Sequence, residues 1–437
     1  MAISGVALIS VLRDGLKGGG SGTILLTANG GDRCGRYDMK VYAPFGFYGA
    51  GNTGDEATLQ GFACLAKLAG RDMDFTIASH NPAHTAKIEP SFHYVPDAPS
   101  RLRGLLSDHL SHGYVFAGGT PIQDGLGGWP LNRIAPLIRH AKQWNRPVVF
   151  VGVGVERLKQ ADSVETFRRD VAPNVACWTV RSENDRQRLI DMDVPAGRVT
   201  VAADMAWMLS SASPDFGRKV LAEYLPQSDG RPLIGVNVNA EAAMLADSPK
   251  MFEILAEAFD RIVTDHNARI VFLSNETRDE PTYDWAASKR THTLMKRKDD
   301  AIVFPNTYLS PHEMMSIVGQ CQLTISSRYH FCLFSALQGV PFIPLKRSDK
   351  VADLAADLHW RPGCTLREMT ANVLADQARQ LLQSPEQDLK AMAQRIPTLR
   401  DNAKLNRLAL ETLRKEGITY SRLDWLKTAL RRVRVIT

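Results

Sequence analysis

The stretch "GFYGAGNTGDEATLQGF", residues 46–62, decides how this chain is read. It follows the apolar run "KVYAP" (40–44) and leads into a helical pattern, so a strand, a glycine turn and a helix stand in succession. Gly49, Gly51 and Gly54 spell G-x-G-x-x-G, the spacing of a dinucleotide-binding turn. Two neighbouring features argue for a different use. Asp55 and Glu56 stand in the first helical turn, where acids favour the helix dipole but occupy the place a pyrophosphate would take. The second strand, "DFTIAS" (74–79), ends in Ser79 and His80, where a dinucleotide fold wants an acid for the ribose. Two readings remain: a tight turn with an acid-capped helix, or a site in which Asn52, Asp55 or Glu56 faces a polyhydroxyl substrate.

Outward from the turn, apolar runs recur at "GYVFAG" (113–118), "PVVFVGVGV" (147–155), "CWTVRS" (177–182) and "VTVAAD" (199–204). Helical patterns such as "LNRIAPLIRHAKQWN" (131–145) separate them. Continuous apolar strands alternating with helices mean parallel βαβ units covered on both faces. A polar break follows at 210–219 and 225–232, and the alternation resumes with "PLIGVNVNA" (232–240), "RIVFLSN" (269–275), "LTISS" (323–327) and "VPFIPLK" (340–346). The expected fold class is α/β, with two doubly wound Rossmann-like domains facing a cleft. The expected divisions are an irregular extension at 1–37, a first domain at 38–212, a second at 213–415 with trailing helices, and a basic tail at 416–437. Ligands in such sheets bind beyond the carboxyl ends of the strands, here in the cleft.

Composition narrows the class. With 44% hydrophobic and 23% charged residues among 437, the chain reads as an ordinary multidomain soluble protein. It holds no apolar run near the ~18–20 residues of a membrane span. "ISGVALISVL" (3–12) lacks the preceding basic residue and clear cleavage site of a signal peptide. The six cysteines are scattered, without C-x-x-C or Cys/His ligand spacing, which suits reduced cytoplasmic thiols and argues against structural zinc. Of the net charge of +6, the last twenty residues carry five basic groups and one acid, so the rest is nearly balanced and offers no nucleic-acid stripe.

The densest chemistry is "SSRYHFCLFSALQGVPFIPLKRSDK" (326–350). A strand ends at Ser327, Arg328 and His330 sit on the turn into a helix, and the loop after the next strand brings Lys346, Arg347 and Lys350. Two consecutive strands and a helix N-terminus thus deliver cations to one sheet edge, an anion site with a histidine able to carry a proton. In the first half, Arg181 opens "RSENDRQRL" at another strand end. The loop "AGGTPIQDGLGG" (117–128) lets a sugar approach its backbone, which makes Gly118, Gly119, Gln123 and Asp124, together with Asn52 and Thr53, the candidate acceptor-binding residues.

Together and in this order, these segments resemble the polysaccharide pyruvyl transferase family. The resemblance rests on "GFYGAGNTGDEA", "AGGTPIQD", "GVGV" (152–155), "RSENDRQRL", "AADMAW" (202–207), "SSRYHFCLFSALQGVPFI" and the "SDK" ending in Lys350, and covers about residues 40–375. It implies a two-domain fold similar to GT-B glycosyltransferases and transfer of the pyruvyl unit of phosphoenolpyruvate to sugar hydroxyls, with ketal formation and phosphate release. By motif position it assigns Arg181, Arg328 and Lys350 to phosphoenolpyruvate and His330 to the general acid. The chain departs from the family pattern at Tyr329, where leucine is usual, at Met205, and in its extra N-terminal residues.

The chemistry suits these residue types. Cations hold the donor's phosphate and carboxylate, and a cationic imidazole protonates its methylene carbon. Asp55 or Glu56 then orients the hydroxyls or accepts a proton. The expected co-substrate is phosphoenolpyruvate, with no cofactor and no metal. The acceptor is a polysaccharide or its lipid-linked precursor, and the expected location is the cytoplasm, with the basic tail as a contact to the inner face of the membrane. The alternatives are a GT-B-type nucleotide-sugar glycosyltransferase and a non-catalytic subunit of a polysaccharide assembly system. Residues 329–338 contain no acid of the kind that often holds a donor ribose.

Overall fold

Val148–Val153 is buried at every position, and so is Gly113–Ala117. Strands with no polar face belong inside a parallel sheet covered by helices on both sides. The computed structural model describes residues 39–70, 72–97, 110–125, 127–225, 230–278, 280–346 and 349–416, apart from the side chains at 242–243. The expectations for the N-terminal extension, for Arg347 and for the tail beyond residue 416 lie outside the described residues.

The strands, numbered along the chain, form two all-parallel sheets within one unit, Met39–Gly417. The first has seven: β1 (Met39–Ala43), β2 (Met73–Ser79), β3 (His93–Pro96), β4 (Gly113–Ala117), β5 (Val148–Val153), β6 (Cys177–Val180) and β7 (Val199–Val201), in the order β3-β2-β1-β4-β5-β6-β7. The second has five: β8 (Leu233–Asn237), β9 (Arg269–Phe272), β10 (Ala301–Val303), β11 (Leu323–Ser326) and β12 (Phe342–Pro344), in the order β10-β9-β8-β11-β12. The α/β class and the paired doubly wound sheets are therefore as expected. In each sheet the chain runs outward from its first strand and then returns to that strand's other side. The reversal points, β1/β4 and β8/β11, are where ligands of such sheets bind. The glycine turn leaves β1, and Arg328 leaves β11.

Two strands escape the sequence pattern, β3 and β10. Both are sheet edges of four and three residues. An edge strand pairs on one side only, so it tolerates polar residues and Pro96 and leaves a weak apolar signature. The last described helix, Arg407–Glu416, is a second departure. Its buried Ala409, Leu410 and Leu413 join Val41, Val115, Val149 and Val151 under the first sheet, so the last described helix packs on the first lobe. No helix among the described residues is long and apolar enough to cross a membrane.

Candidate functional site

The opening glycine turn has three parts. Gly49 and Gly51 take φ of 75° and 81°, a region that side chains rarely adopt. Between them the turn is closed by Glu56, whose Oε1 accepts the Gly49 N–H at 2.6 Å. Asn52 caps the helix Thr53–Ala69, its Oδ1 accepting from the Gly54 N–H at 2.9 Å. Gly54 answers a different need: a Cβ placed there would lie 2.7 Å from Cγ of His330. The third glycine clears room for an imidazole from the other lobe, not for a pyrophosphate.

The same turn is stitched to the loop after β9. Thr53 N–H donates to Asn275 O at 2.9 Å, Thr277 N–H to Gly51 O at 2.9 Å, and Asn275 Nδ2 to Asn52 Oδ1 at 3.1 Å. Thr53 Oγ1 donates to Leu309 O at 2.9 Å. Asn52 and Thr53 therefore have polar groups committed to joining the lobes.

His330 is the second residue of the helix Tyr329–Leu337. Its Nε2 lies 3.1 Å from Thr58 Oγ1 and 3.3 Å from Asp204 Oδ2. The Thr58 hydroxyl donates to Gly54 O at 3.2 Å, so towards His330 it accepts, as does the carboxylate. Both neighbours call for a proton on Nε2. Asp204, just after β7, also lies 3.0 Å from Arg181 Nε. These two contacts on Oδ2 are Coulombic, since neither aligns as a hydrogen bond. Burial alone would raise the Asp204 pKa, yet the charges of Arg181 and His330 hold it well below the usual carboxylate range. Arg181 Nε further donates to Gly152 O at 3.0 Å, while its buried Nη2 has no hydrogen-bond partner. Its guanidinium carbon lies 5.4 Å from the centre of the Tyr329 ring, the residue at which the family pattern changes.

Arg328 is held differently. Its Nη2 donates to Glu276 Oε2 and to Asp284 Oδ1, both at 2.8 Å, and its Nη1 lies 3.7 Å from Glu241 Oε1. Asp284, fully buried, is itself satisfied on Oδ2 by Asn237 Nδ2, Asn275 N–H and Glu276 N–H. Burial would lower the Arg328 pKa, but Asp284, Glu276 and Glu241 raise it above the ordinary guanidinium value.

One carboxyl registers all four residues of the expected donor site. Burial raises the Asp55 pKa, and the charges of His330, Arg181, Lys350 and Arg328, in that order, oppose the rise. Lys350 reaches this group from the helix Asp349–Asp357. That helix is docked on the residues following Arg181. Arg188 Nη2 meets Asp349 Oδ2 at 2.7 Å, Asn184 Nδ2 donates to Asp353 Oδ1 at 2.7 Å, and Ser182 Oγ to Asp353 Oδ2 at 3.3 Å. Glu56 stands beside Asp55 with its Oε2 buried and without a hydrogen-bond partner. Burial pushes its pKa up to about 7, the Gly49 N–H opposing and Asp55 adding to the rise.

The loop after β4 divides. Gly118 packs on Thr58, a Cβ there lying 3.2 Å from Thr58 Cβ, while a Cβ at Gly119 would meet nothing within 4 Å. Gln123 Nε2 donates to Thr120 O at 3.0 Å. Asp124 Oδ2 accepts from the backbone N–H groups of Lys159 and Gln160 at 2.8 and 2.7 Å. Gln123 thus braces its own loop, and Asp124 ties that loop to the segment after β5. Sequence reasoning assigned no role to Asp204, although it lies in a quoted motif, and passed over Glu276 and Asp284 entirely. The signal for them was faint: acids directly after β7 and β9, and at the start of the helix Asp284–Leu294.

A search of curated protein sequences found no match. Solved structures with similar folds include UDP-GlcNAc 2-epimerase from Neisseria meningitidis bound to UDP-GlcNAc, at 13% identity and a TM-score of 0.57, covering 86% of this chain and 100% of that one. UDP-GlcNAc 2-epimerase from Methanocaldococcus jannaschii matches at 10% and 0.54, covering 79% and 93%. A glycosyltransferase from Rickettsia africae matches at 10% and 0.53, covering 88% and 100%. At such identities the likeness concerns the fold, which is GT-B-like. The family described as polysaccharide pyruvyl transferase matches residues 52–349, from the cap of the glycine turn to the first residue of the Lys350 helix, and the chain belongs to that family.

Proposed function

We propose that this transferase moves the pyruvyl unit of phosphoenolpyruvate onto sugar hydroxyls of a polysaccharide or its lipid-linked precursor. The observation that carries the reading is the meeting of Arg181 from one lobe and His330 from the other on Asp204 Oδ2, at 3.0 and 3.3 Å, with His330 packed against Gly54 beside Asp55, whose carboxyl also feels the charges of Lys350 and Arg328. Phosphoenolpyruvate is small and carries a phosphate and a carboxylate, so it needs several cations in one crevice. Arg181 offers a buried Nη2 that awaits an acceptor. Lys350, at the N-terminal turn of its helix, suits a phosphate. Arg328, clamped by carboxylates, acts as a fixed charge.

In the reaction, His330 as imidazolium gives a proton to the methylene carbon, and C2 becomes electrophilic. A sugar hydroxyl adds to C2 and loses its proton to Asp55, Glu56 or the neutral His330. A second hydroxyl then displaces phosphate, closing a cyclic ketal. The net change is diol plus phosphoenolpyruvate to ketal plus inorganic phosphate, without a change of oxidation state and without a cofactor. Asp204 holds the imidazole and pairs its charge. The reaction is placed in the cytoplasm, at the inner membrane face when the acceptor is lipid-linked.

The test is phosphate release from phosphoenolpyruvate across a panel of sugar acceptors. Wild type should release phosphate with at least one acceptor, and His330→Ala should slow release by about 10²–10⁴-fold. Absence of release across the panel overturns the proposal. Release of a nucleoside diphosphate from a nucleotide sugar would favour the glycosyltransferase alternative.

A further inference from the structure

The carboxyl edge of the first sheet carries rings that the reaction above does not use. Phe45 and Phe47 follow β1, His80 follows β2, and Trp129 ends the loop after β4. Trp129 stands edge-on to Phe47 with ring centres 5.2 Å apart, and Phe45 lies 6.2 Å from Phe47 and 6.4 Å from Trp129. His80 stacks on Phe47 at 5.8 Å. Phe45, Phe47 and Trp129 are half-buried and His80 is exposed. Phe45 leans on the core of the first lobe, whereas Phe47 and Trp129 belong to no buried cluster, and the rings, gathered from three strand ends and left half open, lie where parallel sheets bind ligands.

Polar groups rim the rings. Asp97 pairs with Arg133 and lies 3.5 Å from His80, and the Arg133 guanidinium carbon sits 5.9 Å from the Phe45 ring centre. From the second lobe, Arg278 lies 5.6 Å from the Phe47 ring centre, and its Nη1 donates to the Tyr283 hydroxyl at 2.9 Å. Arg278 Nε also contacts Glu276 Oε1 at 3.1 Å, and Glu276 Oε2 accepts from Arg328 at 2.8 Å. Two ion pairs in series thus connect the ring cluster to the donor cations. The patch is continuous with the reaction site and spans both lobes.

We infer that this cluster, centred on Trp129 and Phe47 with Arg278 at its rim, is the platform that receives the pyranose ring of the acceptor. A pyranose has an apolar face of C–H groups and an equatorial belt of hydroxyls. Flat rings accept the face, and arginine, histidine and carboxylate groups bond the belt. Such a platform holds the ring beside the C2-activating group without adding charge to a crevice already full of it. The inference rests on the pyruvyl-transfer reading for what happens next to the bound sugar, but the binding itself is separately measurable.

The experiment uses the full-length protein and methyl β-D-galactopyranoside, methyl β-D-glucopyranoside and methyl β-D-mannopyranoside as probes. Titration of wild type with at least one of them should change tryptophan fluorescence. Trp129→Ala should abolish that change, and Arg278→Ala should weaken binding about tenfold. In turnover, both variants should raise the acceptor KM about tenfold and leave the phosphoenolpyruvate KM within about twofold. Trp129→Phe should recover most of the affinity, and thermal melting identifies any variant that fails to fold, in which case Phe47→Leu replaces it. The inference is overturned when folded Trp129→Ala binds the probes like wild type, when none of the three probes binds, or when both KM values rise together. Failure of the pyruvyl-transfer reading looks different: wild type then binds a pyranoside but releases no phosphate from phosphoenolpyruvate.

Discussion

Arg181 and Arg328 are one residue type in mirrored settings. Each follows the carboxyl end of a parallel strand, and each is largely buried. Their partners differ. Arg181 meets one carboxylate, Asp204, which it shares with His330, and keeps Nη2 without a partner. Arg328 meets Asp284 and Glu276 at 2.8 Å and Glu241 beyond them. The difference separates two uses of a buried guanidinium. A fully paired arginine builds the wall and fixes its charge. An arginine with an open donor is prepared for a ligand, at the expense of stability in the empty state.

The largest expected effect breaks this contrast directly. Arg328→Ala leaves fully buried Asp284 without its cation and Glu276 with Arg278 alone, and should cost about 3–5 kcal/mol. Arg181→Ala leaves Asp204 with His330 still beside it and should cost less, while raising the phosphoenolpyruvate KM more. Urea unfolding of the two variants decides the matter, and equal midpoints would remove the distinction.

Glu56 tests the acid side of the crevice. Its folded pKa of about 7 exceeds its unfolded value, so between pH 4.5 and 7 the folded state binds the extra proton and stability falls as pH rises. Glu56→Gln keeps a carbonyl for the Gly49 N–H and removes the titration. Its stability should match wild type near pH 4.5 and exceed it by up to about 3 kcal/mol above pH 7. Parallel stability curves for the two proteins across that window would show that Glu56 does not titrate there.

Gly54→Ala sharpens the account of the glycine turn. The added methyl must displace the His330 ring, costing about 1–3 kcal/mol. The kcat should fall while the phosphoenolpyruvate KM stays nearly constant, because the acid moves and the cations do not. An unchanged kcat in a folded variant would show the close approach to be incidental. The smallest effect belongs to Arg188→Ala, which loosens the helix bearing Lys350. The Asp349 side chain is 74% exposed, so the pair is worth about 0.2–1 kcal/mol. The expected outcome is a rise in phosphoenolpyruvate KM of up to about fivefold that high salt masks.

Much of the fold could be read from runs such as "PVVFVGVGV" and from the glycine turn, because parallel strands buried on both faces cannot hide their apolar character. The edge strands β3 and β10 were illegible because they are short and pair on one side only, without the longer apolar runs that marked the other two edges, β7 and β12. The cations of the site stood out as charged residues directly after strands. Their carboxylate partners did not: Asp284 and Glu276 lie 44 and 52 residues before Arg328, a pairing created by sheet order alone. The aromatic cluster was hidden for the same reason, since Phe47, His80 and Trp129 meet only where three strand ends gather.

The amino-acid sequence by itself determined the alternation of strand and helix, the left-handed glycine positions, the cationic residues at strand ends and the family they signal. These follow from local sterics, periodicity and chemical type, which act within a few residues along the chain. The tertiary structure alone decided that Gly54 makes room for His330, that Arg328 is paired and Arg181 open, and that the last described helix returns to the first lobe. These depend on which strand ends become neighbours across two sheets, and on the low-dielectric burial that turns proximity of charge into shifted pKa values.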